Sequence, residues 1–484
     1  MSEHADGVAS RLGCAALADL LVADGAALLD GRSGERVGGA ELRDRIAETA
    51  EPLAGVPGGV VFALTPLDVS GVLRYLGALS AERPVLLLDP ALDRTTLELL
   101  IGRFRPAAVI AADGPTPSGY RAAAPVGWVR ADPNGVAPHP ELAVLLTTSG
   151  STGNPKLVRL SASAVLANAR SIATALALGP DEVAPTSLPL HYSYGLSVLN
   201  SHFVAGATVL IEPNGVLSRT FWDAIDEHRA TSFAGVPYHY EMLRRIGFTP
   251  GDHPALRTLT QAGGRLRGTL VRDFAERMDT VAGRLVVMYG QTEATARMAV
   301  LPPERLADKL GTAGLAVPGG AFSIRPPEYA PHHAPDPDGD EEVGEVVYTG
   351  PNVMMGYAEH EDDLARGDDL AGVLATGDLG RLDDEGFLTI TGRLKRIGKV
   401  FGTRVSLDDL EDLLRSHGVA AAVPGDDRII VWLEGADPER CREAGRALAA
   451  RLRVHASGFD VRALPALPLL ASGKVDYRAL EASG

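Results

Sequence analysis

Between Thr147 and Lys156 the chain reads TTSGSTGNPK, directly after the apolar run Leu142 to Leu146. Thr147, Thr148, Ser149, Ser151 and Thr152 are packed among Gly150 and Gly153, with Lys156 closing the segment. Glycines let the backbone turn back on itself, so that several amide N–H groups can converge on one anion. The hydroxyls add donors and Lys156 adds a positive charge, which together suit a phosphate. A polar hairpin turn is the plain alternative, but the length of the loop and its terminal Pro-Lys argue against it. The common nucleotide P-loop does not fit either. It needs Gly-Lys-Ser/Thr opening a helix, whereas Leu157 to Leu160 reads as a second strand.

This segment resembles the phosphate loop of the adenylate-forming superfamily, which comprises acyl- and aryl-CoA synthetases, luciferases and the adenylation domains of nonribosomal peptide synthetases. Further segments similar to that family's motifs follow in order. They are Tyr289 to Glu293 (YGQTE), Thr376 to Asp378 (TGD), Gly392 to Lys395 (GRLK) and Lys474 within LLASGKVDY. Singly, Glu293 or Asp378 is most simply a solvated acid; the ordered set changes that reading. The resemblance covers essentially the whole chain and implies ATP and Mg²⁺ as cofactors.

It also implies roles. Thr148, Ser149, Gly150, Ser151, Thr152, Gly153 and Lys156 would hold the leaving pyrophosphate. Thr292 and Glu293 would serve the phosphate and Mg²⁺, with Tyr289 and Gly290 beside the nucleotide. Asp378 would accept from both ribose hydroxyls, as a carboxylate can, and Arg393 would add a cationic donor there. Gly263 and Gly264, in QAGGRL, lie where the family places its adenine-binding turn, although a plain turn explains them nearly as well. Lys474 would contact the substrate carboxylate and bridging oxygen, because a carboxylate attacking a phosphate brings two anions together. Lys395 would act at the hinge between two domains.

Three departures stand out. Leu157 replaces the glycine that commonly follows the loop, Gly398 stands where a β-branched residue is usual and is expected to loosen the segment after the hinge, and the tail after Arg393 is short. Leu188 to Gly195 (LPLHYSYG) matches the aromatic segment at the acyl pocket. His191, Tyr192 and Ser193 bring no acid to pair an α-ammonium, so a simple acid is expected rather than an α-amino acid. The expected pocket wall is His191, Tyr192, Tyr238, Met288 and Met298, suiting an apolar or aryl acyl group; ordinary core packing is the competing explanation for each. The partner is thus a small-molecule carboxylic acid. CoA ranks first as acceptor, a carrier-protein pantetheine second, and a non-thiol nucleophile third. A non-catalytic nucleotide-binding relative is the remaining alternative, and the joint presence of Lys156, Glu293, Asp378 and Lys474 opposes it.

Positioning these groups takes a scaffold of alternating elements. Val85 to Leu88, Ala107 to Ile110, Ala143 to Leu146, Thr208 to Ile211 and Val286 to Met288 read as buried strands, with helices such as Asp93 to Phe104 and Ser218 to His228 between them. The expected fold class is α/β: a large multi-subdomain N-terminal domain over residues 1–392 and a small hinged α+β C-terminal domain over 393–484. At 484 residues the chain is too long for one core. A formal net charge of −16 argues against a nucleic-acid partner. Two cysteines exclude a disulfide framework, and the absence of a signal-like N-terminus and of any apolar run of membrane length leads to a cytoplasmic expectation. Pro331 to Glu342 and Glu361 to Asp369 read as surface loops.

Overall fold

The computed structural model describes residues 12–147, 156–326, 343–394, 396–401, 403–425, 428–452, 454–470 and 474–483. An eight-stranded sheet forms the first layer, in the spatial order Gly356–Ala358, Leu157–Ser161, Leu142–Thr147, Val85–Leu88, Val61–Leu64, Ala108–Ile110, Gly127–Arg130 and Tyr120–Ala123. Its centre is parallel: Val61–Leu64 pairs with both Val85–Leu88 and Ala108–Ile110, and Val85 pairs with Val144. Sheets of this kind are covered on both faces. The VLLL strand is accordingly buried at all four positions, and each such side chain contributes about 1.5–3 kcal/mol by leaving water.

The helices begin where their caps predict. Asp93 accepts from the Thr96 amide at 2.9 Å ahead of Arg94–Phe104, and Ser218 accepts from the Thr220 amide at 3.3 Å ahead of Arg219–Glu227. The loop expected at Glu361 to Asp369 instead opens with a 3-10 turn, Glu361–Ala365. There the Asp363 carboxylate takes the amides of Glu359 and His360 at 2.7 and 3.0 Å. The loop expected at Pro331 to Glu342 lies outside the described residues.

A second sheet, Ser232–Gly235, Thr258–Gln261, Arg284–Tyr289, Ala299–Leu301 and Leu315–Ala316, has its first three strands parallel. A third, antiparallel sheet holds Ala321–Arg325, Gly344–Thr349, Val373–Leu382 and Leu388–Arg393. A smaller mixed sheet joins Ala27–Asp30 and Arg36–Gly38 to Thr208–Ile211 and Val183–Pro185.

Beyond residue 396 the chain builds its own core. Ala420–Pro424, Ile429–Glu434 and Phe459–Leu464 form a sheet beside the helices Leu407–Leu413, Pro438–Leu452 and Tyr477–Ala482. Val400, Leu410, Leu414, Val431, Ala444 and Leu448 are buried together within it. The architecture is thus a large α/β part followed by a smaller α+β part. Gly398 does not loosen this core. A Cβ there would stand 2.9 Å from both Ile429 Cγ1 and Leu407 Cδ2, so glycine lets the strand press against its neighbours. Among the described residues no helix is long and apolar enough to cross a membrane.

Candidate active site

The three parallel strands of the second sheet run the same way, and their C-terminal ends are where an open α/β sheet places ligands. Thr258–Gln261 leads into Gly263 and Gly264. Gly263 has φ +82°, and a Cβ on it would lie 2.5 Å from the Tyr192 hydroxyl. Arg284–Tyr289 leads into Gly290, where a Cβ would stand 1.9 Å from the Ala296 carbonyl oxygen. Only glycine lets the YGQTE turn fold back this tightly. Thr295, at φ +66°, completes the turn in a region costly for a β-branched residue. Its hydroxyl donates to the Asn352 carbonyl at 2.7 Å, which helps hold it there.

That turn presents Thr292 and Glu293. The Thr292 hydroxyl lies 3.1 Å from that of Ser193. The Glu293 carboxylate accepts from the Tyr357 hydroxyl at 2.7 Å, while its backbone carbonyl accepts from the Met354 amide at 2.8 Å. Lys156 approaches the same place: its ammonium pairs with Glu359 at 2.6 Å and lies 5.7 Å from the Tyr357 ring centre. Thr148, Ser149, Gly150, Ser151, Thr152 and Gly153 lie outside the described residues, as does Lys395.

Asp378 is buried on the strand Val373–Leu382, opposite Arg393 in the antiparallel register. One oxygen accepts from the Tyr289 hydroxyl, and the other pairs with Arg393 Nε at 2.9 Å. Burial and the Asp378 charge hold the Tyr289 phenol well above its ordinary pKa, and the same charge raises that of Arg393. Two further lone-pair directions on Asp378 remain for donors such as vicinal hydroxyls.

Lys474 reaches this cluster from the small C-terminal part. A backbone bridge pairs Leu469 with Val475, and the Leu470 amide donates to the Lys474 carbonyl at 2.7 Å, fixing the segment. The ammonium lies 5.6 Å from the Tyr192 ring centre. Burial, then the charge of Arg393, lowers the Lys474 pKa, while Glu293 and Asp378 oppose that shift. The Tyr192 phenol is pushed up to about 12, chiefly by burial.

Not all of the expected pocket wall gathers here. Tyr192 and Tyr238 pack partly buried against the cluster that includes Met288, Tyr194 and Val236. Tyr238 also lines a separate cleft with Val216 and Met242. Met298 does not line the pocket. It precedes the strand Ala299–Leu301, its amide donates to the Tyr289 carbonyl at 2.9 Å, and its side chain is fully buried in the large core with Leu146 and Val158. The expectation of no acid around His191 also needs correction. Asp89, just after the strand Val85–Leu88, brings Oδ2 to 3.7 Å from His191 Nε2. Burial lowers the His191 pKa and Asp89 opposes that shift.

A family model described as "AMP-binding enzyme" matches residues 22–358. The chain belongs to this family. Curated relatives of this AMP-binding enzyme include the medium-chain fatty-acid–CoA ligase of Escherichia coli K12, 32% identical over 57% of this chain and 47% of that protein. Another is the indoleacetate–CoA ligase of Aromatoleum aromaticum, 33% identical over 69% of this chain and 66% of that protein. The matched part therefore spans about half to just under two thirds of these relatives. The fold is shared with O-succinylbenzoate coenzyme A synthetase from Bacillus subtilis, solved with ATP and magnesium ion. Its TM-score is 0.72 at 23% identity, covering 93% of this chain and 95% of that one.

Two residues of the AMP-binding enzyme escaped the motif reading. Asp89 could have been found, since it stands at the C-terminal end of a buried parallel strand. Arg297 could not: it sits eight positions after Tyr289 in an otherwise apolar run, and its burial is visible only in three dimensions.

Proposed function

We propose that this AMP-binding enzyme activates a carboxylic acid with ATP, forming acyl-AMP and pyrophosphate, and then transfers the acyl group to a thiol, with CoA as the first-ranked acceptor. The observation that carries this reading is the convergence of Lys474 on Glu293, Asp378 and Tyr192 from a separately cored part of the chain. The residues fit a magnesium nucleotide. Asp378 has acceptor sites for a ribose, the Gly263 turn leaves space where a side chain would collide, and Glu293 is a carboxylate suited to a metal that shares its shell with phosphates. Bound there, Mg²⁺ would screen the phosphate charge.

In the first step a carboxylate oxygen of the acid forms a bond to the α-phosphorus as the bond to pyrophosphate breaks. Lys474 neutralises the carboxylate and the bridging oxygen as charge develops. In the second step the thiol sulfur attacks the acyl carbon, its proton is lost and AMP leaves. The names of the curated relatives support CoA as acceptor; a carrier-protein pantetheine is the alternative. Acid-dependent exchange of pyrophosphate into ATP tests the first step, and mass spectrometry with CoA tests the second. Exchange that no acid stimulates sinks the proposal.

We also place the hinge at Lys395. On one side, Arg393 is tied to Asp378 and the Leu394 amide donates to the Gly377 carbonyl at 2.8 Å. On the other, Arg396 is held inside the small part by Asp408 at 2.5 Å, Glu411 at 2.7 Å and the Ala422 carbonyl at 3.0 Å. A pivot between two such anchors is short, as hinges are.

A further inference from the structure

A narrow cavity is lined by Tyr194, Ser197, Thr260, Met288, Glu182 and Arg297. It belongs to the same region as the proposed acyl site. Met288 precedes Tyr289, Thr260 precedes Gln261, and the Tyr194 ring stands 6.3 Å from that of Tyr192.

Arg297 is 3% exposed, and its guanidinium stacks 3.7 Å from the centre of the Tyr194 ring. Its Nε is buried with no hydrogen-bond partner. Among the described residues no carboxylate lies within ion-pair distance of it. The one acid lining the cavity, Glu182, is turned to the Thr231 hydroxyl and to Arg257, 3.5 Å away. The Arg297 backbone is clamped as well: Asn168 donates to its carbonyl at 2.8 Å and Asn352 at 3.0 Å, while its amide donates to Asn168 at 3.3 Å.

A buried guanidinium stays charged, and its desolvation is only partly offset by an aromatic face. A protein that fixes such a group in place, at the wall of a cavity and without an anion, has prepared a receptor for one. We propose that Arg297 receives a second anionic group on the substrate, so that the acid activated by this enzyme is a dicarboxylate. One carboxyl reacts beside Lys474; the other is held by Arg297. The inference deepens the proposed activity and rests on it.

The test is pyrophosphate exchange by the full chain with matched acids that share a skeleton, such as hexanoate against adipate and phenylacetate against 4-carboxyphenylacetate. A site built around a buried polar group rejects the analogue lacking its partner, so kcat/KM should favour the dicarboxylates by roughly 100-fold or more. Arg297→Met should bring the ratio to about one or below, chiefly by raising KM for the dicarboxylates. Arg297→Lys should keep part of the preference, since it retains charge but not the planar fork. A wild-type ratio at or below one, or a ratio unchanged in Arg297→Met, overturns the proposal and leaves Arg297 as a prop for Tyr194. Equal gain from a neutral hydroxyl or keto group overturns it too. The wild-type ratio decides the matter even if the methionine variant does not fold. Absence of exchange with every acid is a separate result, because it removes the activation reading itself.

Discussion

At the scale of single residues the site is a balance of opposed charges around one lysine. Lys474→Ala should lower acid-dependent pyrophosphate exchange by about 10²-fold or more, the usual cost of losing one donor to developing charge. The same variant should still consume acyl-adenylate supplied to it with CoA. Equal loss in both half-reactions would make Lys474 structural. Its pKa also has a readable sign. In the proposed mechanism Lys474 acts protonated, and burial with Arg393 lowers its pKa, so the alkaline limb of exchange should fall below the range of an ordinary lysine. Arg393→Gln removes a cation that lowers this pKa and should move the limb upward. A limb that stays put or moves down in this variant, measured by exchange between pH 7 and 11, argues against this coupling.

At the scale of elements, much was legible in the sequence, and the reasons are local. Thr208 to Ile211 is an apolar run of strand length and forms the strand Thr208–Ile211, while Asp93 and Ser218 cap the helices that follow them. Asp378 and Arg393 were readable as motif members, but not their pairing, which depends on the register of two antiparallel strands. Met298 lies just before the strand Ala299–Leu301 and packs into the large core, whereas Val300, two residues on, packs beside Met288, and no local pattern separates the two. Arg297 and Asp89 meet partners far away in sequence, Tyr194 and His191, which no local pattern records. One test belongs here. Lys395→Pro fixes φ and removes an amide donor at the proposed pivot. Adenylation should survive, while single-turnover kinetics should show adenylate accumulating and reacting slowly with CoA. Poor adenylation followed by normal transfer would refute the pivot.

At the scale of the whole molecule, two separately packed parts meet at the site. The core around Val400, Leu410 and Val431 is distinct from those of the large part, so calorimetry should resolve two transitions. Arg396→Ala should depress only the small part's transition. Breaking a mostly buried pair strands Glu411, whose pKa burial already raises, at a cost of about 3–5 kcal/mol. A single transition that shifts as one unit would mean the two parts fold cooperatively.

On the proposed mechanism, the brief stretch between the Arg393 and Arg396 anchors would also set how crowded the site is with its own reagent. Lys474 is in effect a cation on a tether, and its local concentration depends on the length and stiffness of that tether. With the proposed pivot at Lys395, a link this short would hold the base of the small part close to Arg393, so that Lys474 would enter and leave the site by rotation and not by drift. Each inserted residue would add up to about 3.5 Å of reach and enlarge the volume through which Lys474 wanders. Chain length between two arginines, rather than any contact made by the lysine, would then limit how often the first reaction begins.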